Sequence, residues 1–346
     1  MEPRFLIKTH AQVSHPGIFA VLIERCTGPE RASNADRVAR NLADALASDD
    51  HQFKAAARFT VLMAQQFGFV RRNMTWDSNG FVIHAALSRI GKTGSQLPPQ
   101  LDAYAYSLHE RIAYLRYYLE ADGAVIWSLL SRLAGGSPLT RQAIGEQIQD
   151  IFIEIHEDYL LFMDDTRART RVRASLARLR RERYKPGTVP HKVGPHIQPL
   201  VDLGVLEESK SMELVGVGGK GVRGPSRLLS LVDSLASLER LFAKEEYFSA
   251  VAALLVDQPN PFEPSQHDEL SAASIRDGYR WMKSDTTALA HVDALCDWVC
   301  VDLLATHGLL LERNEVRRQL REWNRDGRVR FDVDHRGHPA FVALRT

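Results

Sequence analysis

The chain has 346 residues, 45% apolar and 25% charged, an ordinary globular composition with enough length for two or three cores. Lysine and arginine number 44 against 43 acidic residues, for a net charge of +1, which excludes a uniformly basic body and makes any nucleic-acid contact a local one. Cys26, Cys296 and Cys300 make no disulfide framework, no apolar run is long enough to span a membrane, and the start lacks a signal-peptide core, so a cytoplasmic protein is expected.

In chain order, Ser33 and Asn34 cap a helix whose Val38, Leu42 and Leu46 recur every four residues, and a second helix runs from about Gln52 to Phe67. Gly68 ends it. The segments Phe69–Arg72 and Phe81–Ala86 then flank Ser78-Asn79-Gly80, which reads as a hairpin with Arg71, Arg72 and Trp76 on it. Residues 86–93, AlaLeuSerArgIleGlyLysThr, meet a relaxed phosphate-loop pattern, but a single glycine precedes the lysine and Pro98-Pro99 follow, so a linker over 91–100 is the plainer reading.

A helix is expected over Leu101–Leu133, with Ser137 and Thr140 capping the next. Residues 146–165 carry Glu and Asp without Lys or Arg. Residues 167–185 then invert the sign, with Arg178 and Arg181 among their arginines. The two charged helices either neutralise one another in an antiparallel hairpin or leave the arginines facing phosphates. Leu200, Leu203, Val205 and Leu206 surround Gly204, but Pro190, Pro195 and Pro199 predict a helix that is short or begins late. Lys220, Arg223 and Arg227 sit on a glycine-rich tract that reads as a wing or a solvated loop.

Residues 229–257 again look helical. In GlnProAsnProPheGluProSer, 258–265, three prolines predict a linker without regular structure. A helix from about Thr286 to His307 bears Cys296 and Cys300, whose spacing suits buried small hydrophobes better than metal ligands. Val316, Leu320 and Trp323 then share one helix face, with Arg317, Arg318, Arg321 and Arg325 on the other. Beyond Gly327, Val329, Phe331 and Val333 alternate with Arg328, Arg330 and Asp332. The tip His335–Pro339 leads into a second strand. The boundaries that follow are 1–90, a linker at 91–100, 101–257, a linker at 258–270, and 271–346.

Helix, glycine, strand, basic tip and strand together resemble the back half of a winged helix-turn-helix. Three stretches, near 17–87, 124–230 and 286–346, share that order. The resemblance implies a mainly α fold with small β-hairpin wings, made of tandem winged helix-turn-helix domains joined by long helices. It also implies double-stranded DNA binding by Arg317, Arg318, Arg321, Arg325, Arg328 and Arg336, with Arg71, Arg72, Arg178, Arg181, Lys220 and Arg223 as further contacts. Tandem arrays of this kind look like those of plasmid replication initiators, transcriptional regulators and bacterial antiviral defence components. No catalytic constellation, metal site or cofactor is expected, whereas protein partners in an assembly are, with self-association left open. The competing expectation is a structural adaptor whose winged helices bind protein, as in condensin-like complexes; a nucleotide-dependent enzyme rests on Gly91-Lys92-Thr93 alone.

Overall fold

Three glycines end their helices in the same way. Gly68, Gly204 and Gly327 have φ of 67°, 71° and 74°, a region that costs other residues about 1–2 kcal/mol. Each closes its helix with the same pair of bonds. Gly68 N donates to Gln65 O at 3.2 Å and Phe69 N to Ala64 O at 2.8 Å. Gly204 and Val205 repeat this to Val201 O and Leu200 O at 2.9 and 2.8 Å, and Gly327 and Arg328 to Asn324 O and Trp323 O at 3.2 and 2.8 Å.

A computed structural model describes residues 15–30, 32–46, 51–94, 105–134, 139–185, 189–209, 221–223, 238–241 and 244–345. The protein is mainly helical with small, mostly antiparallel sheets. Its contacts divide it into two compact units, Pro16–Arg116 with Glu246–Thr346 and Met1–His15 with Tyr117–Glu245. These are called the terminal and central units below. Residues 16–116 and 246–346, far apart in the chain, thus share one unit, a grouping that linkers alone do not reveal.

In the terminal unit, α1 (Gly17–Val21) continues into a π-helical turn (Leu22–Cys26), followed by α2 (Ala35–Ala45), α3 (His51–Gln66) and α4 (Ser78–Arg89). The Asn34 side chain caps α2 by accepting from Arg37 N at 2.8 Å, as the sequence suggests. The expected hairpin over 69–86 is corrected. Only a tight turn at 71–74 forms, held by Arg71 N to Thr75 O at 2.8 Å and an isolated bridge between Val70 and Trp76, and the Phe81–Ala86 run is the buried α4. Gly80 is not a turn residue. It lies in the first turn of α4, where a Cβ would overlap the Phe69 carbonyl oxygen. Trp76 is buried rather than displayed, with its Nε1 donating to Thr27 Oγ1 at 3.0 Å.

The same unit contains the start of α5 (Leu108–Ala134), then α9 (Tyr247–Leu255), β4 (Asn260–Pro261), α10 (Pro264–Met282), β5 (Ala290–His291), α11 (Val292–His307), β6 (Leu309–Leu310), α12 (Arg313–Arg325), β7 (Val329–Val333) and β8 (Pro339–Leu344). Helix α11 is the core element. Its residues from Val292 to Leu304, Asp293 apart, are buried against α4, α10 and α12. The proline segment expected to lack regular structure is also corrected. Asn260 N and Phe262 N donate to Gly308 O and Leu310 O at 2.9 and 3.0 Å, so β4 pairs in parallel with β6. Pro261 sits between those two donors, where its missing N–H costs no bond. Pro264 starts α10, a position that suits its fixed φ. Helix α11 begins later than expected, because 290–291 form β5.

In the central unit, α5 is interrupted at Asp122 (φ −148°, ψ 34°). It leads to β1 (Leu139–Thr140), α6 (Arg141–Phe162), α7 (Thr166–Arg181), α8 (Val189–Asp202), β2 (Glu207–Ser209) and β3 (Gly221–Arg223). Helix α8 corrects the expectation of a short or late helix. It runs 14 residues with Pro195 and Pro199 inside. Each proline forfeits one backbone bond, and the burial of Val193, Ile197 and Leu200 beside them offsets that cost. Sheet order is β1-β3-β2 here and β5-β8-β7 in the terminal unit. In each, the first strand pairs with the last, and the strand after the glycine pairs on its far side.

Candidate nucleic-acid interface

Helix α12 is oriented by what it buries. Val316 and Leu320, one turn apart, are wholly buried, and this narrow seam turns the rest of the helix outward. Its first turn is anchored by charge. Arg313 Nε and Nη2 each donate to the buried Asp297 carboxylate of α11 at 2.6 Å, and Arg116 Nη1 lies 3.2 Å from the same group. A carboxylate held between two guanidiniums fixes the roll of the helix about its axis.

The outward arginines fall into two sets. Arg317 Nη2 donates to Asp293 Oδ1 at 2.6 Å, and Arg318 spans Glu315 at 2.7 Å and Glu322 at 3.0 Å along the helix. The hydrogen bond and charge of Glu315, then the charge of Glu322, raise the pKa of Arg318 above its usual value. Arg321 and Arg325 are exposed and make no ion pair among the described residues. Arg336 joins them at the hairpin tip, where Asp334 Oδ1 accepts from Arg336 N and His338 N at 2.8 and 2.9 Å. Those bonds, His338 first, lower the pKa of the Asp334 carboxyl. A cleft of about 350 Å³ separates helix from hairpin, lined by Arg317, Arg321, Phe331 and His338 together with Asp293 and Asp334. Arg328 stands over the Trp323 ring, 6.0 Å from its centroid, and 3.9 Å from Asp326.

The remaining expected contacts belong to other elements of the chain. Arg71 donates to His291 Nε2 at 2.9 Å and lies 3.6 Å from Asp77, so its guanidinium ties the 71–74 turn to β5; Arg72, beside it, is exposed. Burial, then the Arg71 charge, lowers the pKa of His291. In the central unit, α7 packs against α6. Arg180 pairs with Glu157, and Arg183 donates to Asp150 at 2.7 Å. Those pairs are the neutralising arrangement of the acidic and basic helices, and each contributes only about 0–1 kcal/mol because both partners are solvent-exposed. Arg181 bonds its neighbour Glu182 at 2.7 Å, while Arg178 is exposed and outside any ion pair among the described residues. Lys220 and Arg227 lie outside the described residues, as does most of the glycine-rich tract that carries them, and Arg223 is described only as the last residue of β3.

No protein family, curated protein or solved structure matches the chain.

Gly91-Lys92-Thr93 follows the C-terminus of α4, with Gly91 N bonded to Ser88 O at 3.2 Å and Lys92 N to Leu87 O at 2.9 Å. A phosphate loop needs the opposite end of a helix, where free N–H groups and the positive end of the dipole face the anion. Lys92 Nζ is moreover directed to Ala105 O at 2.5 Å and to the buried Glu110 carboxylate at 3.2 Å. Burial raises the pKa of all three thiols, to about 12 at Cys26, which suits small packing groups rather than nucleophiles. No cluster of three or more metal-ligating side chains occurs among the described residues, and no helix there is long and apolar enough to cross a membrane.

Sequence reasoning missed α10, hidden behind the proline run, and the Asp297 anchor. A proline at a helix start is a signal for the first. An aspartate in an apolar helix, sixteen residues before an arginine that opens the next, hints at the second.

Proposed function

We propose that the protein binds double-stranded DNA through winged helix-turn-helix units, without chemistry of its own, within a larger cytoplasmic assembly acting on DNA. The observation that carries this reading is the α12–hairpin face. Arg321, Arg325 and Arg336 extend from a rigidly anchored helix and an adjacent hairpin tip, and among the described residues no carboxylate engages them. A helix and hairpin of this shape suit a groove and its flanking phosphates. The recurrence of the junction and sheet order in the central unit supports a tandem arrangement, and the exposed Arg178 of α7 offers that unit a phosphate contact.

Binding of a labelled random duplex across a salt series tests it. Affinity should fall steeply as salt rises, and Arg321→Ala, Arg325→Ala and Arg336→Ala combined should flatten the log–log slope by about 2–3 units. Arg318→Ala should change it far less, since two carboxylates already hold that side chain. An absence of binding at about 50 mM salt, where electrostatics are weakly screened, overturns the proposal.

One observation favours the adaptor reading. Leu161 and Phe162, at the end of α6, are 74% and 84% exposed, a placement that suits a protein partner or a second copy. If Leu161→Ser with Phe162→Ser abolishes an assembly that duplex binding does not require, that surface serves a protein and the arginine face serves DNA.

A further inference from the structure

On the terminal unit, Trp323 and Arg328 line a second cleft of about 400 Å³, formed with α10 and the end of β8. Its floor is largely apolar, with Trp323, the Tyr279 ring and Leu344. Its rim is basic: Arg276, Arg280 and Lys283 from α10, Arg328 from the glycine junction, and Arg345. Among the described residues no carboxylate lines it. Arg280 lies 3.4 Å from Asp277, but Arg276, Lys283 and Arg345 are exposed and have no ion pair among the described residues. The Tyr279 hydroxyl donates to Ala288 O at 2.6 Å, which holds that ring in place. By contrast, the cleft beside the α12 arginines carries two aspartates.

The geometry points to a binding site for a nucleotide unit, a nucleobase against the Trp323–Tyr279 floor and its phosphate among Arg276, Lys283 and Arg345. Aromatic side chains offer a sequence-tolerant stacking surface for any base, and unpaired guanidinium and ammonium groups suit phosphate. The cavity is of the size that takes a ligand of this kind. A free nucleotide and an unpaired nucleotide within a single strand present the same chemistry. The site shares no lining residue with the α12–hairpin cleft and does not depend on duplex binding.

Calorimetric titration of the full chain with AMP, ATP, adenosine, inorganic phosphate and a 12-residue oligothymidylate tests it. AMP or the oligonucleotide should bind, and adenosine and phosphate alone should each bind at least tenfold more weakly. Arg276→Ala with Lys283→Ala should weaken the binding tenfold or more, and Trp323→Leu should do so independently; both changes lie on exposed or half-buried positions, and circular dichroism verifies folding. Binding of AMP identifies a free nucleotide as the source, and binding of the oligonucleotide alone identifies a single strand. No binding of either at millimolar concentration, equal binding of adenosine, or full affinity in the Arg276→Ala, Lys283→Ala variant overturns the assignment. The Arg321, Arg325, Arg336 variant should keep this binding intact, so failure here is distinct from failure of duplex binding.

Discussion

Helices α8 and α12 end in the same bonded glycine and lead into strands of the same order, yet they present opposite surfaces. From Val193 to Leu200, α8 shows solvent no fully exposed residue, and its His196 makes a buried 2.7 Å pair with Asp122. Helix α12 buries only Val316 and Leu320. The first is a core element, and the second is a face held out to solvent by a single buried seam and the Asp297 anchor. The same local geometry therefore serves packing in one unit and display in the other, and the choice is made by residues on the outer side of the helix.

The strongest way to break this comparison is to remove the anchor. Asp297→Ala leaves two guanidiniums facing an empty, desolvated position and should destabilise the protein by about 3–5 kcal/mol, read from the denaturant midpoint. A loss below about 1 kcal/mol would show that the apolar seam alone orients α12. A smaller effect is expected at the junctions. Gly204→Ala and Gly327→Ala should each cost about 1–2 kcal/mol, because both glycines have positive φ. Matching values would show that the two junctions are energetically equivalent, and a clear difference would separate them.

A pH effect comes next. His291 is held neutral by burial and the Arg71 charge, below its ordinary value of 6.5. The unfolded chain binds this proton more readily, so the contribution is fully present above about 6.5 and is lost as pH falls. Between pH 7.5 and 5.5 the wild type should lose more stability than His291→Gln, measured by urea denaturation; equal losses would contradict the assignment. Smallest of all, Arg321→Ala and Arg325→Ala should leave stability within about 0.5 kcal/mol, while altering the salt dependence of duplex binding.

Much of α12 was readable in advance. Val316 and Leu320 recur at helical spacing, the arginines fall opposite them, and Gly327 marks the turn, so composition and period suffice. Phe81–Ile83 misled, because a short apolar run fits a strand or a buried helix equally well. Gly80 beside it looked like a turn glycine, whereas it is needed for close approach to Phe69. The partners of Arg317, Arg318 and Arg71 divide differently. Arg318 pairs within its own helix at a legible spacing, but Asp293 and His291 reach Arg317 and Arg71 only through tertiary packing.

The sequence by itself determined the helices with regular apolar stripes, the glycine junctions, and the outward arginines, because each depends on neighbours a few residues apart. Tertiary structure alone decided that residues 16–116 and 246–346 form one unit, that Asp297 holds Arg313 and Arg116, and which arginines remain uncommitted. Those outcomes depend on charges and volumes supplied by segments far away in the chain, and local pattern carries no record of them.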